Sequence, residues 1–308
     1  MLSDSLVYVA GHRGLVGSAV WRALQTRGVD TVGWSSAELD LRDRGATFDA
    51  VASARPRVMV MAAARVGGIM ANATHPVDFL NDNLRIQTNL FEAAHAADVE
   101  RVVFLGSSCI YPKMAPQPIP EAALLTGPLE PTNQAYAIAK IAGIEAARSY
   151  RQQYGRRWIS AMPTNLYGPG DNFDLNSSHV MPAMIRKFHE AAGVVTLWGT
   201  GTPRREFLHS DDAASAILHL VEHYDGDEHV NVGTGEDISI RGLADLVAEV
   251  VGFEGRIEWD TTKPDGTPRK VLDVSVLSAL GWRPAIPLVE GVRSTYNWFA
   301  TEAAGLTP

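Results

Sequence analysis

Apolar residues run almost unbroken through several short stretches of the first half of the chain. Residues 6–10, 31–34, 57–63, 101–105 and 158–162 predict five strands. A strand apolar on both faces is covered on both faces, as in a parallel sheet flanked by helices. Between them lie segments of helical character: 18–27, stopping at Gly28, and two long stretches at about 76–97 and 133–154. Alternation of strand and helix, with a nearly invariant crossover hand, predicts an α/β fold: a doubly wound parallel sheet of the Rossmann kind.

The rhythm breaks after Pro163-Thr164-Asn165-Leu166-Tyr167-Gly168-Pro169-Gly170. Loops rich in Gly and Pro then separate shorter elements. Strands are expected at 194–198 and 256–259, and helices at 211–224, 240–251 and 288–304. Residues 229–233 read as a strand returning to the main sheet. The expected division is a dinucleotide-binding domain of 1–165 plus about 209–234. A smaller C-terminal α/β region, 166–208 plus about 235–308, would pack over the strand ends and bind substrate.

Composition narrows the class. At 308 residues, 46% hydrophobic and 20% charged, the chain has the balance of a soluble globular protein. A net charge of −8 argues against generic nucleic-acid binding. A single cysteine forms no intrachain disulfide, which fits a reducing compartment. No signal peptide or membrane span is legible, so a cytoplasmic protein is expected. No set of metal ligands is assigned.

Three features carry chemistry. The first is Gly11-His12-Arg13-Gly14-Leu15-Val16-Gly17, directly after the first strand. In this GxxGxxG spacing, Gly11 permits the turn, Gly14 lets backbone approach a pyrophosphate, and Gly17 lets helix and strand pack closely. The helix N-terminus adds free N–H groups and a positive dipole end. Beyond the second strand, Ser35 and Ser36 stand where an acidic residue would select NAD, and Arg13 can pair with a 2′-phosphate. NADP is therefore favoured, although a solvated loop arginine would look the same. Asp40 and Leu41 border the expected adenine site.

The second feature is Tyr136 and Lys140, i and i+4 on one helix face. A neighbouring ammonium favours the phenolate, so Lys140 is expected to lower the pKa of Tyr136 and ready it as a general acid. Ser107, ending the fourth strand, can hydrogen-bond the same substrate oxygen. The third feature is Cys109, two residues beyond Ser107.

These residues resemble the extended short-chain dehydrogenase/reductase family, the class acting on nucleotide sugars, over essentially the whole chain. The stretches carrying the likeness are Ala62-Ala63-Ala64-Arg65-Val66-Gly67-Gly68-Ile69, Leu105-Gly106-Ser107-Ser108-Cys109-Ile110-Tyr111-Pro112, Pro163 to Pro169, and Lys263-Pro264-Asp265-Gly266-Thr267-Pro268-Arg269-Lys270. Within the family the resemblance is to the 3,5-epimerase/4-reductases that turn GDP-4-keto-6-deoxy-D-mannose into GDP-L-fucose with NADPH. It implies carbonyl reduction by Ser107, Tyr136 and Lys140, acid/base work by Cys109 and His179, and a homodimer joined through the two long helices. It extends the cofactor contacts to Leu105, Gly106, Ser107, Ser108, Lys140, Pro163, Thr164, Asn165, Leu166 and His179. One departure concerns the end of the second strand: relatives commonly carry arginine there, and this chain has Trp34, Ser35 and Ser36.

Epimerising C3 and C5 of a 4-keto sugar removes a proton alpha to the carbonyl and returns it on the opposite face. A thiol near 8.5 and an imidazole near 6.5 suit that work at neutral pH. Cys109 as base and His179 as acid is the preferred assignment, and the reverse satisfies the same chemistry. For the anionic nucleotide sugar the candidate contacts are Lys187, Trp198, Arg205, Asp265, Arg269 and Lys270, with Asn165 and Ser107 at the sugar. A Pro/Gly turn would equally account for 263–270, and a core aromatic for Trp198. The alternatives are the same chemistry on a related GDP-4-keto sugar, a plain 4-epimerase or reductase, and, remotely, a non-catalytic NADPH sensor.

Overall fold

The computed structural model describes all of the chain except residues 1, 4, 176, 264 and 306–308. In chain order the elements are β1 (Val7–Ala10), α1 (Leu15–Thr26), β2 (Thr31–Val32), α2 (Arg44–Ala54), β3 (Val58–Met61), α3 (Ile69–Thr74), α4 (Pro76–Ala96) and β4 (Arg101–Leu105). Then come α5 (Gln134–Tyr154), β5 (Ile159–Pro163), β6 (Asn165–Tyr167), α6 (Val180–Glu190), β7 (Val194–Trp198), β8 (Arg204–Arg205), β9 (Phe207–His209) and α7 (Ser210–His223). The chain closes with β10 (Val230–Val232), β11 (Ile238–Ser239), α8 (Ile240–Val251), β12 (Arg256–Asp260), β13 (Arg269–Lys270), α9 (Ser275–Ala279) and α10 (Leu288–Gly305).

Why the strands are apolar at every position is visible in their alternation. Val7 and Val9 of β1, Val58 and Val60 of β3, and Val103 and Leu105 of β4 face one layer, with α1 and α7. Tyr8, Ala10, Met59, Met61, Val102 and Phe104 face the other, with α2, α4 and α5. A side chain moved from water into either layer contributes about 1.5–3 kcal/mol, so both faces reward apolar residues equally. The result is a six-stranded parallel sheet in the order β10-β5-β4-β3-β1-β2. The expected return of residues 229–233 to this sheet is met by β10 beside β5.

The strand order reverses between β1 and β3, and such a point opens a crevice at the carboxyl ends of the strands. There Gly11 adopts φ +83°, and a Cβ on it would lie 2.7 Å from the backbone nitrogen of Ala63 beyond β3. Only glycine fits that approach.

A third apolar cluster lies beyond the sheet, built by α6, β7, α8 and α10 around Phe188, Leu197, Leu243 and Val292. Buried Glu206 ties it to the sheet. Its carboxylate accepts the backbone N–H groups of Thr234 at 2.6 Å, Gly235 at 2.7 Å and Leu272 at 2.9 Å. Burial nonetheless raises its pKa.

Four helices lie outside the sequence-predicted set. Helix α2 buries only Thr47 and Val51, so its apolar stripe is too thin to read. Helices α3 and α9, of six and five residues, are too short to show a period. Helix α6 begins immediately after His179. Strand β2 is shorter than expected, ending at Val32 because Gly33 turns beneath the His12 ring.

Candidate active site

The glycine loop leaves β1 and enters α1 within four residues. A Cβ on Gly17 would sit 2.1 Å from the Gly11 carbonyl oxygen, so the tight turn requires glycine at both ends. Gly14 occupies the N-cap position of α1, with no side-chain cap and no acidic residue in the first turn. The N–H groups of Leu15, Val16 and Gly17 are thus left for an anion, which fits a pyrophosphate. Arg13 is exposed at the tip. The His12 ring packs on Trp21 at 5.0 Å between centroids, as scaffold for the loop. Beyond β2, Ser35 gives its backbone N–H and its hydroxyl to Glu38, while Ser36 is exposed. The Asp40 carboxylate is held by Arg42, and the Leu41 carbonyl by Asn89 at 2.8 Å.

Strand β4 ends at Leu105 and delivers Ser107 to the same crevice. Gly106 crosses over Met162, where a Cβ would approach the sulfur to 2.3 Å. A short 3₁₀ turn, Ser108–Ile110, comes next, capped by the Ser107 hydroxyl, which accepts the Cys109 N–H at 3.3 Å. Ser108 is buried and Cys109 half-buried. Helix α5 runs across this turn with Tyr136 and Lys140 facing it. Gly143 lets the helix descend, since a Cβ there would strike the Phe104 ring.

The Tyr136 hydroxyl is hydrogen-bonded to Ser107. The Lys140 ammonium, 3% exposed, donates to the Leu105 carbonyl at 2.8 Å and stands 5.9 Å from the Tyr136 ring centre. Burial lowers Lys140 to about 7. Burial also raises Tyr136 above its ordinary value, and negative charge on Cys109 pushes the same way. The expected lowering of Tyr136 by Lys140 is therefore absent. Desolvation outweighs a lysine that is itself half-neutral at neutral pH.

Cys109 is met by two donors. The Asn133 amide nitrogen lies 3.2 Å from its sulfur and the Lys270 ammonium 3.8 Å. His179 holds the N-cap position of α6 without capping it, and its imidazole faces solvent on one side. Crowding by protein on the other side lowers its pKa. The loop before it rests on the Gly67-Gly68 turn: Gly68 donates its N–H to the Ser177 carbonyl at 3.1 Å, and a Cβ there would press to 2.9 Å on the Ser178 oxygen.

Among the substrate candidates, Lys270 of β13 is paired in register with Arg205 of β8. Burial lowers the pKa of Arg205, opposed by the carboxylates of Asp265 and Glu130. Asp265 accepts the N–H and hydroxyl of Thr200, fixing the turn after β7. Trp198, at the end of β7, is 56% exposed, with the Lys263 ammonium 5.6 Å from its ring centre. It is no core aromatic. Lys187 donates to the Thr196 carbonyl at 3.1 Å, and burial lowers its pKa. Arg269 is bound to Asp237, which also holds Arg204, so it belongs to the frame and not to the pocket. Pro163 ends β5, Thr164 is buried, Leu166 lies in β6, and Asn165 gives its amide to the Glu206 carbonyl at 2.8 Å. Pro264 lies outside the described residues.

The glycine turn, the Ser-Tyr-Lys set and the sheet order together direct comparison with known proteins. The NAD dependent epimerase/dehydratase family matches residues 7–233. The chain belongs to that family. It is 56% identical to GDP-L-fucose synthase 1 of Arabidopsis thaliana over 298 residues, covering 95% of this chain and 92% of the relative. Among solved structures, a GDP-6-OMe-4-keto-L-xylo-heptose reductase from C. jejuni is 34% identical with a TM-score of 0.94, covering 98% of this chain and 99% of the other. A GDP-L-fucose synthetase from Naegleria fowleri bound to NADP is 28% identical with a TM-score of 0.90, covering 98% and 95%.

Two residues of the site escape a reading of the sequence. Asn133 gave a signal, an asparagine just before a helix, but that pattern ordinarily means a cap. Gly68 gave only a glycine in a loop, whose close neighbour lies more than a hundred residues away.

Proposed function

We propose that this protein is a bifunctional 3,5-epimerase and NADPH-dependent 4-reductase that converts GDP-4-keto-6-deoxy-D-mannose to GDP-L-fucose. The observation carrying this reading is that Cys109 shares one turn with Ser107, against Tyr136 and Lys140. Proton abstraction and carbonyl reduction then act on one sugar ring. High identity to a GDP-L-fucose synthase and likeness to an NADP-bound synthetase support the substrate and the cofactor.

The residues present fit NADP(H). The uncapped start of α1 would hold the pyrophosphate, and Arg13 the 2′-phosphate. Lys140, with protons to spare beyond Leu105, would hold the nicotinamide ribose. Bound NADPH supplies the hydride.

Ser107 and Tyr136 hydrogen-bond the C4 carbonyl oxygen and stabilise the enolate that forms when an alpha proton leaves. Cys109 as thiolate takes that proton from one face. His179 as imidazolium gives one from the other. Both groups re-equilibrate with solvent, so solvent hydrogen ends at C3 and at C5. In reduction, Tyr136 donates its proton to the C4 oxygen. Its raised pKa means that it enters this step as the protonated phenol.

Lys187, Arg205 and Lys270 form the cationic side of the GDP site, with Trp198 exposed for the base. A homodimer through α4 and α5 is part of the proposal, supported by the exposed Val77 and Ile138 on those helices. So is a cytoplasmic setting, supported by the single thiol. No described helix is long and apolar enough to cross a membrane.

The test is turnover of GDP-4-keto-6-deoxy-D-mannose with NADPH in D₂O, read by NMR. GDP-L-fucose carrying deuterium at C3 and C5 is expected. Reduction without deuterium would leave a plain 4-reductase and remove Cys109 and His179 from the chemistry. Turnover only of a larger GDP-4-keto sugar would favour the alternative for which the heptose reductase likeness speaks.

A further inference from the structure

We infer that Asn133 and Lys270 are positioning residues that hold the Cys109 sulfur as a hydrogen-bond acceptor, and so fix it as the proton-abstracting partner. This rests on the proposed epimerase reading. Asn133 sits at the N-cap position of α5, where asparagine ordinarily turns its side-chain oxygen onto the first free N–H groups of the helix. Here it makes no such cap. Its amide nitrogen lies 3.2 Å from the Cys109 sulfur, and its side-chain oxygen is buried without a partner among the described residues. A side-chain cap is ordinarily stabilising, so the side chain has left a favourable local role for the thiol.

Lys270 approaches the same sulfur from a different element. It reaches in from β13 at 3.8 Å. Strand β13 is held by β8 and by Asp237, which clamps the neighbouring Arg269. The lysine is therefore delivered by a fixed frame. An ammonium and an amide NH₂ can only donate. Neither can accept from an S–H, so both contacts present donors to the sulfur as acceptor. The other groups facing this turn are Ser107, whose oxygen is engaged by the Cys109 N–H, and the Tyr136 phenol.

The arrangement also bears on Tyr136. Burial first, and negative charge on the sulfur second, raise Tyr136 and keep the phenol protonated beside Cys109. Lys270 then has two tasks: holding Cys109, and meeting substrate phosphate beside Arg205.

Because the chain has one cysteine, its thiol can be followed without ambiguity. The experiment measures iodoacetamide alkylation at pH 7 in the full-length protein, with thermal melting as a check. Lys270→Met and Asn133→Leu are each expected to slow alkylation about tenfold, the effect of one charge-assisted hydrogen bond. Lys270→Arg should restore it. The same variants should slow deuterium wash-in at C3 more than they slow NADPH oxidation with a pre-epimerised 4-keto substrate. Unchanged alkylation in both variants overturns the proposal, as does slowed alkylation that Lys270→Arg does not restore. Alkylation needs no substrate. If the GDP-sugar assignment itself fails, turnover is absent from the unaltered protein while the alkylation result still stands.

Discussion

Glu38 accepts two hydrogen bonds from Ser35, one from its backbone N–H and one from its hydroxyl, each at 2.7 Å. Ser35, three residues beyond β2, is thereby satisfied within its own turn. Glu38 is in turn lowered chiefly by those bonds, with a smaller contribution from the Arg13 charge. A carboxylate and the arginine proposed for the 2′-phosphate thus face each other across the cofactor entrance. The consequence is modest discrimination between the two nicotinamide cofactors. Arg13→Ala should weaken binding of adenosine 2′,5′-bisphosphate about tenfold, the scale of one charged hydrogen bond, and leave 5′-AMP unchanged. Glu38→Gln should strengthen the bisphosphate several-fold. Calorimetric titration checks both, and equal loss of the two ligands in Arg13→Ala would remove Arg13 from phosphate recognition.

Lys140 stands at about 7 in the folded protein, against roughly 10.4 for a free lysine. Between those values the unfolded chain holds the proton and the folded chain does not, so stability rises with pH across that window. Below about 7 both states are charged and the full cost of burying the ammonium is present. Lys140→Met should therefore be more stable than the unaltered protein at pH 6–7, by a margin that shrinks towards pH 10, while losing carbonyl reduction. Urea denaturation of both proteins between pH 6 and 9.5 measures this. A margin independent of pH would mean that Lys140 is solvated.

Gly68 carries the loop that ends at His179. A methyl group there meets the Ser178 carbonyl at 2.9 Å, against backbone that cannot rotate away. Gly68→Ala should displace the imidazole and lower deuterium incorporation roughly tenfold or more, because a small misplacement of an acid/base group costs up to about a hundredfold. Affinity for NADPH should not change. Loss of cofactor binding in parallel would instead place Gly68 in the general architecture of the crevice.

Trp198 offers 56% of its surface to solvent at the end of β7. A stacked base is held by about 1–3 kcal/mol. Trp198→Ala should weaken GDP binding about tenfold or more and leave the melting temperature nearly unchanged, since an exposed ring supports little packing. Titration with GDP and a thermal melt decide the matter. Full affinity for GDP would exclude Trp198 from the nucleotide site.

The unbroken apolar runs in β1, β3, β4 and β5 marked a two-faced parallel sheet, because both faces of each strand are covered and no polar alternation survives. Gly11 and Gly17 marked the tight turn out of β1, because backbone crowding at both admits no Cβ, whereas a Cβ on Gly14 would meet only the Gly11 carbonyl oxygen at 3.4 Å. Tyr136 and Lys140 declared themselves through helical spacing, which is local. Contacts between residues far apart in the chain left no comparable mark. Helix α2 went unread because it buries two residues, and the 3.6-residue period needs more than two to show. Which cation faces the pocket was decided in three dimensions: Asp237 withdraws Arg204 and Arg269, and leaves Arg205 and Lys270. The diversion of Asn133 from helix cap to cysteine was decided there too, since 24 residues separate it from Cys109 and 161 separate Cys109 from Lys270. The ionisation of Tyr136 and Lys140 depends on burial. Residue types and spacing fix which groups can meet, whereas desolvation by the surrounding fold decides what charge they carry when they do.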